Sequence, residues 1–137
     1  MPSVYTVSVD PNEPNNAHTY AVEMVGHAKE VLEFGCGHGH VTRVLQERGC
    51  EVVGLDHDPV ALEDARRYAR EVYHVDLNST EFAEKLPLES FDVLLLGDVL
   101  EHLTDPAEIL RAARPLLRRN GYIVASMGRH PSSMSPG

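Results

Sequence analysis

Val31-Leu32-Glu33-Phe34-Gly35-Cys36-Gly37-His38-Gly39 is the stretch on which the fold turns. Its first residues are mostly apolar and read, with Glu30, as a short strand over Glu30 to Phe34. The strand stops at a run in which every second residue is glycine. Side chains at Gly35, Gly37 and Gly39 would keep a ligand off the backbone, and glycine also tolerates positive φ. The N–H groups that open the following helix favour a carboxylate or phosphate. Packing alone also produces glycine turns, so the residues around the loop have to decide between the two.

Outward from the loop the pattern repeats. Gly39 to Arg48 reads as a helix stopped by Gly49. Glu51 to Leu55 is a second buried strand ending at Asp56. Asp58 and Pro59 form an N-cap with proline at the first helical position, and that helix runs to about Arg70. Val72 to Val75 is a third strand ending at Asp76, and Thr80 to Leu86 a short helix. Phe91 to Leu96, the most apolar strand, leads into Gly97-Asp98. Asp105-Pro106 opens a helix to about Leu117, and Asn120-Gly121 turns into a last strand, Tyr122 to Ser126. Upstream, Ala17 to Val25 has helical spacing. Residues 1–16, rich in Pro, Asn and Asp, read as an irregular leader, and 128–137 as a disordered tail, which leaves 17–127 as the domain.

Strands apolar on both faces, alternating with amphipathic helices, imply an α/β fold with a parallel sheet covered on both sides. Ligands of such sheets bind beyond the C-terminal ends of the strands. Gly35, Asp56, Asp76 and Asp98 stand at or just past the first four strand ends. A carboxylate at Asp56 suits the two hydroxyls of a ribose, or else the capping of a turn. A dinucleotide loop wants G-x-G-x-x-G, and His40 occupies the third glycine position. With no pyrophosphate to cradle, G-x-G-x-G fits a smaller adenosine ligand whose amino-acid end lies over the turn.

The bulk properties narrow the setting. The chain has 137 residues, 21 acidic against 12 basic, and a formal charge of −9. That balance argues against nucleic acid as a partner and favours a small molecule. No apolar run approaches the roughly 18–20 residues of a membrane span, and Met1 to Asp10 lacks a secretory pattern, so a cytoplasmic protein is expected. Cys36 and Cys50 have no metal-ligand spacing and read as free thiols.

The opening stretch closely resembles motif I of class I S-adenosylmethionine-dependent methyltransferases. Further matches follow in order: Val53-Gly54-Leu55-Asp56, Val75-Asp76-Leu77, Phe91 through His102, and Leu116 through Val124. The resemblance covers about residues 16–127. It implies S-adenosylmethionine as cofactor on a three-layer Rossmann-like sheet of about five strands in the order 3-2-1-4-5. It further implies that Glu33 and the backbone from Gly35 through Cys36 and Gly37 to Gly39 hold the methionine portion. Asp56 would take the ribose, with His57 beside the adenine; Asp76 would receive the adenine amino group, with Leu77 packing nearby. Gly97 and Asp98 would border the sulfonium methyl, and Asp98 and His102 are the candidate catalytic bases.

Asp98-Val99-Leu100-Glu101-His102 also resembles the E-x-x-E-H metal motif of some members, with Asp98 replacing the first Glu. Because Leu-Glu-His also follows strand four in metal-free members, no metal is expected, and Asp98, Glu101 and His102 are the alternative ligand set. The family's sheet has seven strands, the last two a hairpin against strand five, whereas this sequence stops 11 residues after Ser126. The hairpin is therefore expected to be missing, leaving 122–126 as an uncharged edge open to a second copy or a partner subunit. The expected activity is methyl transfer to a small-molecule acceptor. A cofactor-binding module or truncated relative that needs a partner is the alternative, and a dinucleotide-binding module is disfavoured by His40.

Overall fold

The structure is a computed structural model and describes residues 3–9 and 16–128. In chain order its elements are β1 (Ser3–Val9), α1 (Asn16–Val25), β2 (Glu30–Phe34), α2 (His40–Glu47), β3 (Glu51–Asp56), α3 (Pro59–Ala65) and β4 (Glu71–His74). There follow α4 (Phe82–Lys85), β5 (Phe91–Gly97), a 3-10 turn (Leu100–His102), α5 (Pro106–Ala113), a second 3-10 turn (Arg114–Leu116) and β6 (Leu117–Gly128). The sheet order is β1-β6-β5-β2-β3-β4, and every pairing is parallel. Five of these strands stand in the expected 3-2-1-4-5 order.

The sixth strand corrects the sequence reading twice. Ser3–Val9, expected to be irregular leader, is a strand. It also pairs in parallel with β6 from Ser3↔Tyr122 to Val9↔Gly128, so the edge expected to be open at 122–126 is covered by the chain's own N-terminal segment. The tail expected to be disordered lies, beyond Gly128, outside the described residues.

Alternation along the strands builds two apolar layers. Val31, Val52, Val93, Leu95 and Val124 pack with Ala21, Val22 and Val25 of α1 and Leu45 of α2. Their neighbours Leu32, Phe34, Leu55, Leu94, Leu96 and Ile123 face the other way, onto Phe82 of α4 and Ile109 and Ala113 of α5. Phe34 and Phe82 meet edge to face, 5.2 Å between ring centres. A sheet buried on both faces has no room for polar strand residues except where a site needs them.

The helix starts and the end of α2 follow their punctuation, while α3 ends at Ala65, short of the expected Arg70. The Asp58 carboxylate accepts the N–H groups of Val60 and Ala61, with Pro59 at the first position. Asp105 caps α5 through Glu108 N–H, ahead of Pro106. After α2, Gly49 at φ 81 donates to Gln46 O and Cys50 N–H to Leu45 O, the double closure of a Schellman end. α5 is shorter than expected because Pro115, which has no N–H to give, sits in the 3-10 turn that follows it.

Candidate functional site

The glycine loop is wired to the end of β3. Gly35 and Cys36 N–H groups donate to Leu55 O at 2.7 and 3.1 Å, and Gly37 N–H to Asp56 Oδ1 at 3.2 Å. Asp56 Oδ2 accepts Asp58 N–H at 3.0 Å. Two positions require glycine outright. Gly35, at φ 73, lies where a Cβ would stand 2.6 Å from Val99 Cγ2, and Gly39, at φ 90, where it would stand 2.8 Å from Ala65 Cα. The first lets the loop approach the segment after β5; the second seats the start of α2 on α3.

A cavity of about 710 Å³ opens at the C-terminal ends of β2 to β5. Of the expected residues, Gly35, Asp56, His57, Asp76, Leu77, Gly97, Asp98 and His102 line it. Its size is that of a small-ligand or cofactor site. Glu33, Cys36, Gly37, Gly39 and Glu101 are not among its lining residues. His74, Val75, Asn78, Val99 and Leu103 line it and were not singled out in the sequence. His74 had a signal in its place at a strand end, and its Nε2 meets His57 O at 2.9 Å.

Glu33 sits behind the loop rather than in the cavity. It is 5% exposed, and its Oε1 accepts the hydroxyl of the fully buried Thr42 at 2.6 Å, tying β2 to α2. Burial pushes its carboxyl up to about 7; the Thr42 bond opposes the rise and the nearby Asp56 charge adds to it. Burial, with Glu33 and Asp56 beside it, likewise raises the Cys36 thiol to about 12, so Cys36 is an inert packing residue. Both cysteines are buried and free.

Asp98 is the one strained carboxylate of the cavity. Its φ is 56, in the left-handed region, and its N–H reaches both the carbonyl and the Oγ of Ser126 at 3.0 Å. Ser126 is fully buried at the end of β6 and lies opposite Gly97 in register. Strain held in place by buried partners is a mark of functional positions. His102 reaches the rim from the 3-10 turn, its side chain 78% exposed, with Nε2 3.9 Å from Glu101 Oε1. Among the described residues no group of three His, Cys, Asp or Glu side chains is disposed to hold a metal ion, so Asp98, Glu101 and His102 are not gathered as ligands. No helix of the described residues is long and apolar enough to cross a membrane.

A family model described as a methyltransferase domain matches residues 32–123. A ubiquinone biosynthesis O-methyltransferase of Histophilus somni is 35% identical over 105 residues, covering 72% of this chain and 44% of that protein. One from Pseudomonas aeruginosa is 32% identical over 110 residues, covering 77% of this chain and 47% of its own length. The chain thus spans about half the length of the curated relatives it matches. The crystal structure of an S-adenosylmethionine dependent methyltransferase from Mesorhizobium loti superposes with a TM-score of 0.71 at 29% identity, over 88% of this chain and 57% of that one.

Proposed function

This chain belongs to the methyltransferase-domain family, and from that premise we propose that it binds S-adenosylmethionine and methylates a hydroxyl of a small-molecule acceptor. The observation that carries the reading is the convergence of Gly35, Asp56, Asp76, Gly97 and Asp98 on one cavity at adjacent strand ends. The fit is good: a wall that a Cβ at Gly35 would fill, and three carboxylates suited to a ligand with cationic groups.

When bound, the cofactor supplies a methyl group activated by its sulfonium. Asp56, fixed by Gly37 and Asp58 N–H groups, has remaining acceptor sites that would hold the ribose hydroxyls. Asp76, on the same cavity wall, would hold the adenine amino group. Glu33 acts at one remove: through Thr42 it fixes the start of α2, which shapes the glycine loop around the methionine portion. Gly97 leaves room beside Asp98 for the reacting centre. Methyl transfer of this kind depends mainly on placement, and His102 at the rim would accept the proton of the acceptor hydroxyl. The free thiols support a reducing, cytoplasmic setting.

Two measurements test the reading. Calorimetric titration with S-adenosylhomocysteine should give saturable heat that Asp76→Ala weakens about tenfold, the effect of losing one charge-assisted hydrogen bond. Incubation with methyl-labelled S-adenosylmethionine and a panel of small phenols, alcohols and amines should move label to a hydroxyl. Absence of binding by the folded chain would sink the proposal. Binding with no label transfer to any acceptor would leave a cofactor-binding module in its place.

A further inference from the structure

The cavity has two walls that come from distant parts of the chain. Asp76, Leu77 and Asn78 after β4 build one; Asp98, Val99, His102 and Leu103 after β5 build the other. A side-chain hydrogen bond joins them: Thr104 N–H donates to Asn78 Oδ1 at 2.9 Å. On its own side Asn78 is held by the cavity's carboxylate, since its N–H donates to Asp76 Oδ1 at 2.9 Å and Ser79 N–H to Asp76 O at 3.0 Å. On the far side Thr104 follows the 3-10 turn, closed by His102 N–H to Val99 O at 2.9 Å and Leu103 N–H to Leu100 O at 3.2 Å. That turn brings His102 and Leu103 into the wall. Its near end is anchored separately, through Asp98 N–H on the buried Ser126. Residues 98–104 are thus fastened to the core at one end and to an exposed asparagine at the other.

We infer that Asn78 is a positioning residue that couples occupancy of the Asp76 side of the cavity to the placement of the turn carrying His102. The inference rests on the function proposed above. A ligand amino group on Asp76 shares the carboxylate that already holds Asn78, so binding stiffens that turn and keeps Oδ1 aimed at Thr104. The acceptor-side turn is then ordered by the cofactor before an acceptor arrives. Coupling of this kind is reciprocal, so an acceptor resting on His102 and Leu103 tightens the cofactor by the same factor. A neutral, exposed hydrogen bond transmits roughly three- to tenfold.

Hydrogen exchange of the peptide spanning residues 99–104, followed with and without saturating S-adenosylhomocysteine, reads this directly. In the unmodified chain the ligand should slow exchange there by about three- to tenfold. Asn78→Ala should abolish that transmitted protection while calorimetric affinity falls by no more than the same factor. Asn78→Asp, which keeps an acceptor oxygen, should restore it; a purely structural asparagine would not distinguish ligand-free from ligand-bound exchange. Equal protection in Asn78→Ala, or none in the saturated unmodified chain, overturns the inference and leaves the cofactor assignment standing. Failure of the unmodified chain to bind at all is seen separately in the titration, and overturns the assignment and the inference together.

Discussion

At the N-terminal ends of the strands, Arg70 bridges Glu30 and Glu51 at 2.7 and 2.8 Å, and Arg118 meets Asp92 at 3.1 Å. At the C-terminal ends, Asp56 and Asp76 are met by the backbone N–H groups of Gly37, Asp58 and Asn78. The same residue type therefore serves two purposes in one sheet. Carboxylates paired with arginines fasten strand starts together; Asp56 and Asp76, met by backbone N–H groups and, among the described residues, by no arginine, leave acceptor oxygens toward the cavity. Burial works to raise Asp92, but Glu30 N–H and the Arg118 guanidinium outweigh it and hold the group below the usual range. Glu33, with a hydroxyl as its partner and Asp56 nearby, goes the other way.

The largest expected effect tests that opposition of sign. Glu33 is raised to about 7 from 4.5, so the folded chain binds a proton that the unfolded chain releases. Its stabilising contribution is complete below the unfolded value and is lost as pH rises through about 7. Denaturant unfolding should therefore show stability falling by on the order of 3 kcal/mol across that window, and Glu33→Gln should flatten the curve. An unchanged slope in the variant would place the titrating group elsewhere. Asp92 contributes with opposite sign, its share being lost as pH falls toward the acid range.

Asp56→Ala comes next. It removes a carboxylate that organises the loop and faces the cavity, and calorimetry with S-adenosylhomocysteine should show a loss of about 2 kcal/mol, roughly 30-fold. Arg70→Ala is the matching cut at the other end. Because the arginine is 39% exposed, unfolding stability should fall by less than about 1 kcal/mol, with ligand affinity held within twofold. Should Arg70→Ala weaken the ligand as much as Asp56→Ala, the two ends of the sheet are not separate in function.

Much of this was legible in the sequence, for identifiable reasons. β2, β3 and β5 are apolar on both faces and end in or just before glycine or aspartate, so the parallel sheet and the position of the cavity followed from pattern, while the strand order came from the family resemblance. Ser3–Val9 went unread because the Pro- and Asn-rich run after it dominated residues 1–16, although Ser3-Val4-Tyr5-Thr6-Val7-Ser8-Val9 carries the β-branched and aromatic residues of a strand. Thr42 and Ser126 look like ordinary polar residues in a helix and a strand; only burial beside Glu33 and Asp98 gives them a role. The Asn78 contact with Thr104 crosses 26 positions, and no local pattern encodes such a pairing.

The pairing of β1 with β6 also bears on the order in which the chain assembles. Ser3 meets Tyr122 across nearly the whole length of the described chain, so this contact closes the longest loop in the fold. Loop-closure entropy places such a contact late in folding, after βαβ units built from nearby strands have formed. β1 lies at the sheet edge, away from β2 to β5, so its release would be a partial opening that leaves the ligand-binding strands intact. Hydrogen exchange of β1 amides faster than that of β2 and β5 would be the visible trace of that hierarchy.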